Sequence, residues 1–420
     1  MKQVKAILLG AGLRGGKVYA EYALEYPNEL KIVAVAEPDP LRRAELAEKH
    51  HLPEQMQFTS WEEALEKQIE ADCVLVCMQD RMHYAPVHEA MKRGYHVLCE
   101  KPMSNDKEEI IRMGEAAKKY GRKLMICHVL RYSPFFTKLK ELLDEGKIGK
   151  LVSIQHMEGV GYYHQAHSFV RGNWRNSEET SPMILQKCCH DMDILLWLVG
   201  SPCKKIQSFG ELTYFKEENA PADAPSHCLK GCPHRDDCPF YAPRFYLEHP
   251  RSEVDGFIYA VSTDISREKV LEKLENGPYG RCVFRCDNNV VDHQVVQMEF
   301  ENQVTASLTM CAFTAVCERT ITLMGTRGQI TGNMEKSIIT LSDFVTGTET
   351  VIQLHAPEKG HSGSDTKMMH AFVELMNQED TLDSGRSGAE VSVESHLMSL
   401  AAEASRVEHR VIDMKEFSCI

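Results

Sequence analysis

The first twenty-five residues constrain the fold more than any other stretch. Val4 to Leu9 is a short apolar run that leads directly into Gly10-Ala11-Gly12-Leu13-Arg14-Gly15, and a helical pattern follows to about Glu25. A buried strand, a glycine-rich turn and a helix in that order form the unit that cradles a dinucleotide. Gly10 permits the tight turn, Gly12 lets the backbone approach a pyrophosphate, and Gly15 allows the helix to pack closely on the strand. The phosphates then lie at the helix N-terminus, with Leu13 and Arg14 in the same turn as further cofactor contacts.

A second strand, Lys31 to Ala36, ends at Glu37, 22 residues beyond Gly15, where a dinucleotide site places the acid that bonds the ribose 2′-hydroxyl. A carboxylate there repels a 2′-phosphate, which favours NAD over NADP. Arg42 and Arg43, one helical turn on, keep NADP open. Further strands at Ala71 to Cys77, Gly94 to Cys99 and Lys123 to Cys127 alternate with helices near 83–93 and from Lys107. This alternation predicts a doubly wound parallel sheet, a Rossmann domain over residues 1–128.

Beyond it the pattern changes to longer alternating strands at Leu151 to Glu158, Lys205 to Leu212, Val291 to Phe300, Gln303 to Met310 and Arg319 to Leu323. Residues 129–420 are therefore expected to form an α+β domain with a large open, mostly antiparallel sheet, so that the whole chain is α/β. A proline- and cysteine-rich insertion is expected at about 214–279. The length of 420 residues agrees with two domains, or three if the insertion counts as one.

The formal net charge of −13, with no Lys/Arg block, argues against a nucleic-acid partner. No apolar run approaches the ~18 residues of a membrane span, and the start lacks a signal-peptide pattern. A cytoplasmic location is expected, with the 15 cysteines mostly reduced.

Several motifs point to one family. His83-Tyr84-Ala85-Pro86, the run from Gly94 to Glu100-Lys101-Pro102, Arg131-Tyr132-Ser133-Pro134, His190-Asp191-Met192-Asp193 and Gly325-Thr326-Arg327-Gly328 occur in this order. The chain resembles the Gfo/Idh/MocA superfamily of NAD(P)-dependent sugar and polyol oxidoreductases over essentially its whole length. The resemblance implies that Lys101 lies between nicotinamide and substrate and relays a proton as a hydroxyl becomes a carbonyl. It implies that His190 meets the reacting hydroxyl, that Gln79, His83, Glu100 and Arg131 flank the cofactor, and that the protein forms a homo-oligomer, a dimer or tetramer.

One position departs from the family pattern. Many relatives carry an aspartate four residues before the histidine, whereas this chain has Gln186 followed by Lys187. An amide cannot act as a base. A cleft holding Lys101, Lys187 and His190 would suit an anionic sugar or a different proton route. Arg131, His156, His164 and Trp174 are further candidates for binding sugar hydroxyls and faces, and Asp193, on the same helix face as His190, could orient it or simply pack.

The thiols fall into groups. Cys73, Cys77, Cys99 and Cys127 read as small buried hydrophobes of the Rossmann strands. Cys188 and Cys189 adjoin His190 but do not face it on a helix, so a Cys–His nucleophile is not expected. Cys228, Cys232 and Cys238, on a loop broken by glycine and prolines, read as ligands of a structural metal, zinc or an Fe–S cluster, with His234, Cys282 or Cys286 as a fourth ligand. Three functional classes remain open: a dehydrogenase or reductase of a sugar, polyol or sugar acid, a glycoside-cleaving enzyme that oxidises its substrate transiently with NAD, and a non-catalytic dinucleotide sensor.

Overall fold

The computed structural model describes residues 2–355, 360–378 and 385–419. Six short strands, β1 (Val4–Leu9), β2 (Leu30–Ala36), β3 (Gln57–Phe58), β4 (Cys73–Val76), β5 (His96–Cys99) and β6 (Leu124–Ile126), form a sheet in the order β3-β2-β1-β4-β5-β6. All pairs are parallel. The strands are apolar on both faces because helices cover both sides, and Ile7, Leu8, Val74, Leu75 and Val97 are fully buried. The order turns back between β1 and β4, so the loops after these strands open a crevice at their C-terminal ends.

Nine strands form the second sheet: β7 (Leu151–Gly159), β8 (Cys203–Glu211), β9 (His293–Phe300), β10 (Thr305–Cys311), β11 (Glu318–Gly325), β12 (Gly328–Asn333), β13 (Ile338–Asp343), β14 (Glu349–Gln353) and β15 (Ile412–Asp413). Their order is β14-β13-β12-β11-β7-β10-β9-β8-β15. Every pair is antiparallel except β7 with β10. That exception follows from the path of the chain, because β8, β9 and β10 are laid down in alternating directions and the last closes against β7. Inward positions such as Ile154, His156, Val296, Leu308 and Ile321 are buried under the helices Cys189–Val199 and Ala389–Glu408.

The helix Ala389–Glu408 also packs on the helix Lys107–Tyr120 of the first sheet. One continuous apolar cluster therefore runs through both sheets. The segment between β8 and β9 holds four short helices, Ala242–Glu248, Pro250–Val254, Ile258–Val261 and Arg267–Asn276. It carries two small cores of its own, one around Phe245 and Tyr246 and one around Phe215 and Phe240. Among the described residues no helix is long and apolar enough to cross a membrane.

Candidate functional site

The glycine turn has the shape its residues predict. Gly10 has φ +92°, and a Cβ there would lie 2.6 Å from the carbonyl oxygen of Cys77. A Cβ on Gly15 would sit 2.0 Å from the carbonyl oxygen of Gly10, so the turn and the strand–helix contact both require glycine. A Cβ on Gly12 would meet nothing within 4 Å, and Leu13 beside it is 60% exposed. The turn thus presents an open backbone face of the kind a pyrophosphate needs. The following helix begins as a π-turn, Gly15–Tyr19, before becoming α-helical over Ala20–Glu25.

Glu37 is buried at the end of β2, where one carboxylate oxygen accepts the N–H of Ala11 at 2.7 Å and the other that of Asp39 at 3.0 Å. It ties the glycine turn to the second strand from within hydrogen-bond reach of the turn's backbone. Arg43 donates to the carbonyl oxygens of Glu37 and Pro38, which directs its guanidinium to the loop backbone. Arg14 pairs with Glu100 at 2.7 Å and with Asp365 at 2.6 Å, and it also donates to the hydroxyl of Tyr19, which in turn donates to Glu100. Burial lifts the Tyr19 hydroxyl well above its ordinary pKa, so it stays protonated as a donor. Arg14 is therefore a clasp between the turn, β5 and the helix Gly360–Met376, and its charge is already engaged.

Lys101 follows β5 through a cis peptide bond to Pro102. Its Nζ donates to the main-chain oxygen of Gln186 at 2.9 Å and to the side-chain oxygen of the same residue at 3.1 Å. Gln186 thus faces the lysine directly as a neutral acceptor. Glu100 helps to fix the backbone, accepting the N–H of Lys101 at 3.0 Å. Gln79, exposed at the end of the β4 segment, lies on the same crevice edge. His83 is buried, with its ring nitrogens 2.7 Å from the oxygen of Pro102 and 3.0 Å from that of Met78, so it braces two strand-end loops.

His190 lies near the start of the helix Cys189–Val199, 8% exposed, with its ring edge-on to His128 at a centroid distance of 5.8 Å. His128 in turn lies 5.2 Å from His396. Burial, reinforced by Arg131 and Lys101, holds His128 well below its ordinary pKa, and burial with His128 pushes His396 down to about 3. The imidazoles behind His190 are therefore neutral. Of the two roles open to Asp193, orienting His190 or packing, its contacts with Arg131 are those of a brace, the guanidinium taking both of its carboxylate oxygens, at 2.6 and 2.8 Å. Arg131 is 3% exposed, lies over the ring of Trp197 and also donates to the oxygen of Arg386. The sequence placed it beside cofactor and substrate, yet it is an internal brace, since a guanidinium so enclosed needs its carboxylate.

Lys187 belongs to a chain of charges on the second sheet. Its Nζ is 3.0 Å from one oxygen of Glu158, whose other oxygen is 2.9 Å from Arg319. Arg319 continues to Asp191 at 2.8 Å, and His156 closes the chain on Asp191 at 2.8 Å. Burial opposes the charge on Lys187, but Glu158 outweighs it and the pKa is raised. The lysine is held as a cation by Glu158. His156 is buried on Asp191. His164 lies 3.5 Å from the thiol of Cys317, and burial with the nearby Lys187 keeps it well below its ordinary pKa. Trp174 packs against Phe169 at 6.2 Å between ring centroids.

Glu158, Arg319, Tyr19 and Asp365 did not stand out in the sequence. Strand parity could have revealed Glu158, because it is two residues after His156 and so shares its inward face. Asp365 carries no such signal, being 351 residues from Arg14.

The expected metal centre is not assembled. Cys228, Cys232 and Cys238 are free thiols, and among the described residues no group of three His, Cys, Asp or Glu side chains converges as a ligand set. Cys228 instead accepts from the main-chain N–H of Ala242 at 3.5 Å and from Arg171 at 3.8 Å, in the packed interior of the insertion. Cys228 serves as a small interior side chain, as Cys73, Cys99 and Cys127 do, while Cys232 and Cys238 are half-buried.

Residues 4–128 match the family model of the Gfo/Idh/MocA oxidoreductases with an NAD-binding Rossmann fold, and residues 140–411 match the model of that family's C-terminal alpha/beta domain. YteT of Bacillus subtilis, named as an oxidoreductase, is 24% identical over 98% of this chain and 97% of its own. Inositol 2-dehydrogenase of Corynebacterium glutamicum is 27% identical over 48% of this chain, and the match spans 55% of that enzyme. D-glucoside 3-dehydrogenase of Escherichia coli is 29% identical over 35% of this chain and 41% of its own length. Among solved structures, an oxidoreductase from Agrobacterium radiobacter in complex with NAD+, L-tartaric acid and magnesium superposes with a TM-score of 0.70 at 12% identity, covering 99% of each chain. Aldose-aldose oxidoreductase from Caulobacter crescentus, complexed with glycerol, gives 0.67 at 15% identity over 98% of this chain and 99% of that one. With both of its domain models matched in order over a Rossmann sheet and an open second sheet, the chain belongs to the Gfo/Idh/MocA family of NAD(P)-dependent oxidoreductases.

Proposed function

We propose that the protein interconverts a secondary hydroxyl and a carbonyl on a sugar or polyol, using NAD, with Lys101 as the proton carrier and His190 as a second polar contact to the reacting oxygen. The observation that carries this reading is the environment of Lys101. Its two acceptors are both neutral oxygens of Gln186, and an ammonium has three N–H donors, which leaves one for a reacting oxygen. A neutral Nζ takes the proton of a hydroxyl during oxidation, and the ammonium returns it during reduction. Gln186 holds the nitrogen in place for either direction.

The open face at Gly12, the exposed turn around it and the nearby Glu37 fit a dinucleotide. When bound, nicotinamide supplies the two-electron chemistry. Glu37 supports NAD over NADP, since a 2′-phosphate at the end of β2 would meet its carboxylate. The named activities of the inositol and glucoside dehydrogenases support a carbohydrate substrate.

The test is a panel of polyols, sugars and aryl glycosides with NAD, followed for both NADH absorbance and released aglycone. Formation of NADH supports the proposal, whereas aglycone release without NADH would replace it with transient oxidation and elimination. Lys101→Ala is expected to keep NAD affinity and to lose kcat by ~10²–10⁴. Glu37→Ala is expected to weaken NAD more than NADP, and an unchanged ratio of the two dissociation constants would remove Glu37 from cofactor choice.

A further inference from the structure

Lys187 follows Gln186, the residue that holds Lys101, and the buried His164 feels the charges of Lys187, Arg319 and Lys101 alike, so the charges grouped around Lys187 share the surroundings of Lys101. From the sequence, those charges suggested an anionic sugar. The structure gives them the opposite meaning, because each cation already has its carboxylate. Lys187 and Arg319 alternate with Glu158 and Asp191 in one ion-pair chain, with contacts of 3.0, 2.9 and 2.8 Å. The Glu158 side chain is 1% exposed and that of Lys187 is 17% exposed.

The other cations around the site are balanced in the same way. Arg131 is paired with Asp193, and Arg14 is shared by Glu100 and Asp365. Asp80 adds a buried carboxylate on the same edge of the first sheet, where it accepts from the hydroxyl of Ser181 at 2.8 Å. Asp255, on the insertion, also feels the charge of Lys187.

A carboxylate entering here would find Lys101 as an attractive partner, would gain nothing net from Lys187 and Arg319, which are already paired, and would meet Asp80 and the two carboxylates that share Arg14 as repulsive charges. In a buried setting such like-charge contacts are weakly screened. An uncharged polyol avoids this repulsion. Its hydroxyls can accept from the remaining N–H donors of Lys187 and Lys101 and can donate to oxygens, as charge-neutral partners do.

We propose that the site selects an electrically neutral substrate, a polyol or uncharged glycoside and not a sugar acid, and that Glu158 sets this preference by neutralising Lys187. The inference rests on the redox reading above and deepens it by naming the substrate class. Glu158 touches Lys187 and Arg319 and is therefore a specificity residue acting through another side chain.

The experiment compares matched probes with the NAD-loaded full chain: methyl glucoside against glucuronate, and myo-inositol against gluconate. Initial rates of NADH formation give kcat/KM for each member. Calorimetric titration of the NADH-loaded protein gives affinities without turnover. The wild type is expected to favour the neutral member of each pair by at least ~10-fold, and Glu158→Gln, which frees the charge of Lys187, to move the anionic-to-neutral ratio up by ~10-fold or more. NAD affinity is expected to stay the same in that variant.

A wild type that prefers glucuronate or gluconate overturns the proposal, as does a ratio that Glu158→Gln leaves in place. Lys187→Met provides a second route if Glu158→Gln does not fold. It should leave the neutral preference intact, and a selective loss of the acids would show that Lys187 binds anions after all. If no member of either pair gives NADH or binds while NAD still does, the redox reading fails, an outcome distinct from a reversed preference.

Discussion

Arg131 and Lys101 are both cationic residues held by consecutive helices, Lys101 by Met183–Gln186 and Arg131 by Cys189–Val199, and their partners separate their roles. Arg131 is enclosed and held by both oxygens of Asp193, itself 1% exposed, while Lys101 donates to the neutral oxygens of Gln186. Burial raises the pKa of Asp193 although Arg131 opposes the shift, which shows how much the interior disfavours the carboxylate charge. Asp193→Asn should therefore leave an uncompensated guanidinium and cost ~3–5 kcal/mol, seen as a lower urea midpoint. Replacing both partners with apolar residues, as in Arg131→Met with Asp193→Leu, should recover much of that loss. Lys101 was legible in the sequence because its motif is local. The partner of Arg131 was not, because 62 residues separate the two and no periodicity links them. Gln186 was legible as a departure, but its contact with Lys101 was not.

At the scale of elements, the strand–turn–helix at the N-terminus was the most readable part of the molecule. Its glycines make distinct predictions. Gly15→Ala places a Cβ 2.0 Å from the oxygen of Gly10 and should lower the melting temperature of the protein even without cofactor. Gly12→Ala fills open space, so it should leave that melting temperature nearly unchanged while weakening NAD. Thermal melts of both variants with and without NAD check this, and equal cofactor-free destabilisation would contradict the assigned roles. The longer strands β1, β2 and β7 to β11 were readable from apolar runs or alternation. Strands β3 and β15 have two residues each and no period to detect, and β14 alternates without a single buried position. The π-turn at Gly15–Tyr19 has the composition of an ordinary helix start and left no trace either.

At the scale of the molecule, buried and half-buried histidines make stability depend on pH. Burial holds His96 at about 4, and His167 and His396 at about 3, against an ordinary value of 6.5. A depressed folded-state pKa means that the folded chain binds fewer protons. The stabilisation is complete above ~6.5 and is lost as pH falls from there toward the folded values. Urea midpoints should therefore begin to fall below about pH 6.5, before carboxylates titrate, and His396→Gln should make the decline shallower. The two-sheet plan was legible from the change in strand pattern near residue 128, whereas the strand order of the second sheet was not, because pairing is decided by contacts distant in sequence. The edge strand β6 meets its outer neighbour at Gly388, with the N–H of Ile126 donating to Ser387, and Arg14 meets Asp365 only 351 residues later. The half that begins the chain is thus among the last to be completed, and a nascent chain on the ribosome carries an uncovered sheet edge and a half-made clasp until its final helices emerge.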